Sequence, residues 1–565
     1  MRRFSIRSRL TLVLAALFLL TGMVQPGAVY AGHGGSTSPE LDVVGNLDLG
    51  LPGANITDVW ALGNYAYLGT FDDIVCSLDF TGVHIIDISD PADPTKVAFI
   101  PAKAGTRNND VKVSHLETPH FSGDILVASN EPCGSPFLPR LQANGVGNIP
   151  GQGGVAIWDV TDPTKPVALK QNFLRFPVHN TYIYQQGQNA YMLVVDDVNV
   201  QDVHIVDLTK PNSPKEIAVT GQGDWPSDID NIGDGEVFLH DVWVQENNGV
   251  VTAYLSYWDA GLVLLNITDP ANPAFLGDSE YLFPDPLSGE DPEGNSHVSV
   301  PNADGSRVLM GDEDFAAGSL TTFEFNGTEY PATDGGFTPP TFSLPGGTFS
   351  GPVHWTGGEG CTTGEFDRPG NPGEVALMQR GTCFFSTKAA NAQALGYAGF
   401  IVANNAAGGD TLITMSAGTD DVITIPGYFV GFSTGEVMKA NEGGSMFAAG
   451  IFDGYGYLRL LDVSYPGNIV ELDQFATEGV FANPPLPGDR TMHNVVVDGG
   501  TTAYISWYAE GMRVVDFAGD TLTEVAHWTA PDTSFWGVYL HDHPDGNTYI
   551  LGSDRNSGLW IFDTP

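Results

Sequence analysis

A short apolar run closed by the same polar stop recurs along the chain. Residues 83–91 read VHIIDISDP, and the phrase returns as VAIWDVTDP from Val155, VHIVDLTKP from Val203 and LVLLNITDP from Leu262. More worn copies follow as LRLLDVSYP from Leu458, MRVVDFAGD from Met512 and LWIFDTP from Leu559. Each run is brief and rich in Val, Ile and Leu, which predicts a strand. Pro cannot donate to a ladder, and Asp and Ser favour local turns, so the strand must end at the polar stop. Another short strand follows each full copy: KVAFI, PVALK, KEIAV, PAFLG, IVELD and LTEVA.

Two more strands precede each copy. The nearer ones are AYLGT from Ala66, AYMLVV from Ala190, AYLSYW from Ala253, VLMGDE from Val308 and AYISWY from Ala503. Before them come DVWAL from Asp58, DVKVS from Asp110, HNTYIY from His179, HDVWVQ from His240, HVSV from His297 and HNVVV from His493. A repeat of four strands predicts an antiparallel propeller blade. The residues that close the runs, Asp87, Asp159, Asp207, Asn266, Asp462, Asp516 and Asp563, lie 72, 48, 59, 196, 54 and 47 apart. Most of these steps fit one blade, and the longest hides an insertion. The last copy has no fourth strand before Pro565, whereas 41–49 (LDVVGNLDL) is a strand without a blade. Pairing the two closes the ring and removes its open edges. The expectation is an all-β seven-bladed β-propeller, over 41–332 and 451–565. The repeated phrase resembles the LVIVD repeat family, and that resemblance implies a propeller without implying an activity.

Residues 333–450 break the pattern. VALM from Val375 and FIVANN from Phe400 read as strands, with an Ala-rich helix from Phe385 to Leu395 between them and Gly396 as its stop. The stretch resembles the protease-associated (PA) domain in its RGxCxF turn at Arg380, in Lys388 and Asn391 on the helix, in the Asn404-Asn405 strand end and in ITIPGYFV from Ile423. That resemblance implies a small α/β, non-catalytic module for partners or substrate access. It enters between the second and third strands of a blade, on the face where first strands begin, called the top here. Gly431-Phe432-Ser433-Thr434-Gly435 fits a serine-nucleophile elbow, but Ser433 with Glu436 reads better as a helix capping box.

Residues 1–31 have the form of a secretory signal: Arg2, Arg3, Arg7 and Arg9, the apolar stretch 10–20, then small residues before Gly32. An exported location follows, with no membrane span. The chain carries a formal charge of −45, and removing the leader leaves 19 basic against 68 acidic residues. Such a surface disfavours nucleic acid and anionic membranes and favours cations. Four cysteines in an exported chain suggest two disulfides. Cys361 and Cys383 share the PA-like module, and Cys76 and Cys133 follow second strands of adjacent blades, so pairing within each region is expected.

Candidate chemistry comes from position. His179, His240 and His493 open first strands, with Asn180, Asp241 and Asn494 beside them, and His297 stands one place later in its blade. Second strands end on the same face with Asp196, Asp259, Asp312, Glu510 and Asp554. Imidazole with carboxylate suits a transition metal, and carboxylate alone suits Ca²⁺. A polar residue at each strand start also fits a structural role, bonding the next blade or capping a turn. The sequence supports an exported binding or scaffold protein whose top face meets a protein, peptide or extracellular polymer. The alternatives are a metal-dependent hydrolase or lyase with its site on that face, and a calcium-stabilised surface structural protein.

Overall fold

The computed structural model describes residues 38–51, 55–70, 80–132, 153–196, 199–225, 229, 237–284, 292, 294–418, 421–483 and 485–565. Residues 1–31, expected to be a leader, and Cys76 and Cys133, expected to pair, lie outside them. Seven blades of four antiparallel strands form the ring. Blade 1 comprises Ile56–Leu62, Tyr65–Thr70, Gly82–Asp87 and Thr95–Pro101. Blade 2 comprises Val111–Glu117, Ser122–Pro132, Gly154–Asp159 and Val167–Phe173. Blade 3 comprises Val178–Gln186, Asn189–Asp196, Val203–Asp207 and Lys215–Thr220, and blade 4 Leu239–Asn247, Val250–Tyr257, Gly261–Asn266 and Ala274–Asp278. Blade 5 is Ser296–Pro301, Arg307–Asp312, Leu458–Asp462 and Val470–Phe475. Blade 6 is Val495–Val497, Thr502–Trp507, Gly511–Asp516 and Thr523–Trp528. Blade 7 is Phe535–Asp542, Thr548–Asp554, Gly558–Asp563 and the N-terminal strand Val43–Leu47, which closes the ring.

The repeated phrase is the third strand of each blade and the turn after it. Val83 and Ile85 pack against blade 2, whereas Ile86 packs against blade 7, so both faces of the strand are buried. That is why the run is continuously apolar instead of alternating. Its closing residue makes an Asx turn. Asp87, Asp159, Asp207, Asn266, Asp462 and Asp516 each accept, through Oδ1, the backbone N–H two residues on, at 2.6–2.9 Å. The hydroxyls of Thr161, Thr209 and Thr268 then accept backbone N–H groups at the start of the second strand. The side chains of the stop thus take over from the ladder where the strand turns away.

His84 breaks the apolar run of blade 1. It is buried, stacks on Phe99 at 4.7 Å, and its Nε2 lies 3.0 Å from the Phe80 carbonyl. Burial pulls its imidazole down to about 4. Unfolded His titrates near ~6.5, so the folded protein binds fewer protons between there and about 4. The contribution is therefore complete above that range and is lost as pH falls through it. His84→Phe should gain about 2 kcal/mol on wild type between roughly pH 7.5 and pH 4.5, measured as the difference in urea midpoints. A mutational effect of the same size at both pH values would refute this.

The inserted module leaves blade 5 after its second strand and returns before its third. Its sheet has the order Thr328–Glu329, Ser319–Phe325, Ser445–Ile451, Thr348–Trp355, Val375–Gln379, Gly399–Ala403, Gly427–Val430, Ala332–Asp334. Ser319–Phe325 pairs with Ser445–Ile451, so the sheet takes in residues upstream of 333. Two helices, Phe385–Ala394 and Phe432–Ala440, pack on it. The second is capped by Gly431 and not by Ser433, whose hydroxyl instead donates to Asp410 Oδ2 at 2.8 Å. The capping-box expectation fails because Ser433 lies inside the first turn.

Candidate functional site at the channel mouth

The channel-lining strands of blades 1, 3, 4, 5 and 7 begin with a β-bulge, and in blades 3, 4 and 5 the bulge positions a histidine. In blade 3, Val178 pairs Asp196 and Thr181 pairs Val194, so His179 and Asn180 together face one residue. In blade 4, Leu239 pairs Tyr257 and Asp241 pairs Ser256, leaving His240 extra. In blade 5, Ser296 pairs Asp312 and Val298 pairs Gly311, leaving His297 extra. His297 thus occupies the same structural place as His240, not a place one later. In blade 6, His493 and Asn494 both bond Ser506. A bulge turns a side chain out of the regular alternation, here towards the axis.

The four imidazoles form an arc. Ring centroids are 4.3 Å apart for His179–His240, 4.3 Å for His240–His297 and 4.1 Å for His297–His493. Trp536, in the equivalent bulge of blade 7, continues the arc 4.4 Å from His493. Glu313 lies inside it, directly after Arg307–Asp312. Its Oε2 is 3.7 Å from His297 Nε2, and its Oε1 is 3.6 Å from His493 Nε2. Tyr508 Oη donates to Oε1 at 2.6 Å. One ligand atom from each of His240, His297 and Glu313 falls within 4.8 Å of the others, and all three residues are buried.

Burial governs the charge of this group. It pushes the Glu313 carboxyl up to about 8, although the Tyr508 hydrogen bond opposes it. Burial also holds His493 well below the usual imidazole range, and His297 too, where the neighbouring imidazoles add to the effect. At neutral pH the His297 and His493 rings are neutral, the form in which imidazole ligates a metal. His179 is held differently. Its Nδ1 meets Glu131, which also accepts from Arg107 Nε at 2.7 Å. Burial would raise Glu131, but Arg107 and His179 hold it down to about 2.

A second tier lies below. Lys112 Nζ bonds Asp58 Oδ2 at 2.7 Å and also pairs with Asp110. Asp241 belongs to this tier: burial pushes it up to about 7, and its Oδ1 accepts the Val242 N–H at 2.6 Å. Under it, Trp60, Tyr182, Trp243 and Tyr539 meet across the axis with centroids 4.4–6.4 Å apart. The axis is therefore closed by an aromatic floor below the imidazoles.

The acidic ends of second strands do not join the imidazoles. Asp196 accepts from Asn199 Nδ2 at 2.7 Å and lies 3.5 Å from His204 Nε2. Asp312 is bound to Arg459 Nε at 2.6 Å and Tyr281 Oη at 3.1 Å. Glu510 takes Arg490 Nη1 at 2.6 Å and Arg513 Nη2 at 3.3 Å. Asp554 accepts from the backbone of Ser534, Asn556 and Ser557. Asp259 is buried at the end of its strand, close against Gly294. These carboxylates stabilise loops and blades, because the end of a second strand and the turn after it sit one strand away from the axis. The sequence reading missed Glu313, Glu131, Tyr508 and Trp536. Glu313 had a signal, since it follows Asp312 in Gly311-Asp312-Glu313-Asp314.

In the module, Cys361 and Cys383 form a disulfide with Cα atoms 5.6 Å apart. Lys388 Nζ is directed inward, donating to Glu359 O at 2.6 Å and Gln379 O at 3.2 Å, and Asn391 Nδ2 donates to Gly360 O at 2.9 Å. Both residues thus fix the 359–361 loop. Among the described residues no helix is long and apolar enough to cross a membrane.

The fold defines a ring propeller with an inserted small α/β module, and the comparisons agree. The PA domain family matches residues 349–438, and the LVIVD repeat family matches 53–98 and 239–279. The chain is a seven-bladed LVIVD-repeat propeller carrying a PA domain inside blade 5. It is 37% identical over 123 residues to vacuolar-sorting receptor 1 of Pisum sativum, a match covering 19% of each chain. The chain thus spans about a fifth of that relative. Among solved structures, an aminopeptidase from Aneurinibacillus sp. strain AM-1 is 19% identical, covering 27% of this chain and 36% of that one, with TM-score 0.22. Saccharomyces cerevisiae Sqt1 is 8% identical, covering 93% and 100%, with TM-score 0.39.

Among the described residues the module leaves the ring after Arg307–Asp312 and returns before Leu458–Asp462, the two strands that pair with each other. Replacing 319–451 by a short turn between Arg307–Asp312 and Leu458–Asp462 should leave a propeller with one cooperative thermal transition. A chain that no longer unfolds cooperatively would show that the module belongs to the core.

Proposed function

We propose that this is an exported binding protein in which the ring holds the PA domain beside the channel mouth, and the two together recognise a protein or peptide. One observation carries the reading. Glu313, at the centre of the imidazole arc, is separated from the first strand of the module only by residues 314–318, and Phe315 in that link lies 5.6 Å from the Tyr508 ring. The root of the module therefore rests on the site. The disulfide and the leader-like N-terminus support export, and the receptor named among the relatives supports a partner of protein nature. A second reading, a metal-dependent enzyme, is favoured by the imidazole arc itself.

The test is a random peptide library displayed and selected on the purified full chain. Enriched peptides should lose binding to a chain carrying Phe384→Asp and Val422→Asp, two of the exposed apolar side chains of the module. They should keep it when exposed charges of the bottom turns are reversed as Asp93→Lys and Lys165→Glu. Loss on the bottom set with retention on the module set would place recognition on the opposite face.

A further inference from the structure

We propose that His240, His297, His493 and Glu313 form a binding site for one divalent first-row transition ion at the channel mouth, with His179 flanking it. The inference stands apart from the binding reading above, since a peptide site needs no ion and an ion site needs no peptide.

The geometry comes first. Three blades deliver imidazoles and a fourth side chain delivers a carboxylate to one buried point. His297 and His493 both direct Nε2 at the Glu313 carboxylate, at 3.7 and 3.6 Å. A tetrahedral site with bonds of about 2.0–2.1 Å needs ligand atoms roughly 3.4 Å apart. The present spacings, up to 4.8 Å across His240, His297 and Glu313, are a small inward shift from that. The second argument is cost. Like-charged or unpaired polar groups are expensive to bury. Among the described residues, Nδ1 of His297 and Nδ1 of His493 are buried without a hydrogen-bond partner. Three buried imidazoles around one carboxyl make a poor core for their own sake, and a cation among them would take Nε2 of His297 and His493 and the Glu313 carboxylate as ligands. Ligand chemistry then selects the ion. Imidazole nitrogen suits Zn²⁺, Cu²⁺, Fe²⁺ or Ni²⁺, whereas Ca²⁺ prefers an all-oxygen shell.

The surroundings match a supported centre. Tyr508 Oη holds Glu313 Oε1, and Arg555 lies over the Tyr508 and Trp536 rings at 5.3 and 5.8 Å. Glu131 orients His179 through Nδ1, the carboxylate–histidine arrangement that fixes a ring and raises its basicity. The aromatic rings of Trp60, Tyr182, Trp243 and Tyr539 close the site from below.

The experiment uses the intact chain, stripped with chelator and then loaded with Co²⁺, Zn²⁺ or Cu²⁺ and desalted. One ion per chain should be retained, Co²⁺ should show visible absorption of a low-coordinate site, and Cu²⁺ should show nitrogen hyperfine coupling from several imidazoles. Added Ca²⁺ should displace none of it. Glu313→Gln should weaken retention by at least about tenfold. His297→Gln with His493→Gln should abolish it, while His115→Ala, at an exposed site on blade 2, should not change it. Failure of the intact chain to retain any of these ions, or Cu²⁺ spectra without nitrogen coupling, would overturn the proposal without any variant. So would a folded double variant that still holds one ion.

Discussion

Arg459→Ala should cost about 3–5 kcal/mol, far more than any surface charge in the molecule. Arg459 is buried, bonds Asp312 Oδ2 at 2.6 Å through Nε and Glu471 Oε1 at 2.7 Å through Nη1, and takes the Tyr457 hydroxyl at 3.0 Å from Nη2. Its guanidinium lies between the Tyr281 and Tyr457 rings, 4.5 and 4.7 Å from their centroids. Truncation would leave two carboxylates buried without their counter-charge, and such groups escape only by taking protons. Burial already pushes Asp312 up to about 6, against the pull of Arg459. The cost should therefore shrink as pH falls towards about 6, below which Asp312 is protonated even beside Arg459. The place of this triad explains its need. Asp312 ends the strand before the PA domain and Arg459 lies in the strand after it, 147 residues on. The pair stitches blade 5 across the insertion, and Glu313 of the imidazole arc is the next residue. Arg307→Ala, which breaks a partly exposed pair with Asp520 at 2.7 Å, should cost no more than about 1 kcal/mol. Denaturation midpoints of the two variants at two pH values decide the matter. Equal costs would mean that the triad is solvated and contributes like a surface pair.

The ring was legible because each blade must solve the same problem. A third strand buried on both faces demands a continuous apolar run, and its exit demands an Asx turn, so residues such as Val83–Asp87 and Gly261–Asn266 advertise themselves. The PA domain was legible through Lys388, Asn391 and the Cys361–Cys383 pair, whose bonds hold one loop. The histidines were legible as a recurrence at strand starts. Their convergence was not, since it depends on bulges that no local pattern announces. The carboxylates misled for a related reason. Asp312 and Glu313 are adjacent in sequence but point to different places, one to Arg459 within the blade and one to the axis. Neighbours on a strand alternate faces, so only the register distinguishes the structural acid from the central one.

Deleting 38–50 should convert the protein from a monodisperse species with one transition into an aggregating one. Val43–Leu47 completes blade 7 by pairing Val43 with Phe562 and Leu47 with Leu559. Asn46 Nδ2 adds a bond to Leu559 O at 2.9 Å. The segment before it is tied to blade 6, where Leu41 N donates to His527 O at 2.7 Å and Ser38 Oγ to Glu524 Oε1 at 2.7 Å. Removal would uncover the apolar strand Gly558–Asp563 as an edge, and an unpaired apolar edge recruits other chains. A point substitution gives the graded form of the same test. A Cβ on Gly45 would stand 2.1 Å from the Pro91 carbonyl oxygen, so the turn of blade 1 sits directly on the closing strand. Gly45→Val must push one of them away, and because the contact is backbone it cannot be relieved by a side-chain rotation. The variant should unfold at a lower urea midpoint and exchange the amides of Gly558–Asp563 with solvent faster than those of Gly261–Asn266 in blade 4. A peptide of residues 38–50 added to the deleted chain should restore part of its solubility by strand addition. Unchanged midpoint and exchange in Gly45→Val, together with a soluble monomeric deletion, would show that the ring closes without its N-terminal strand.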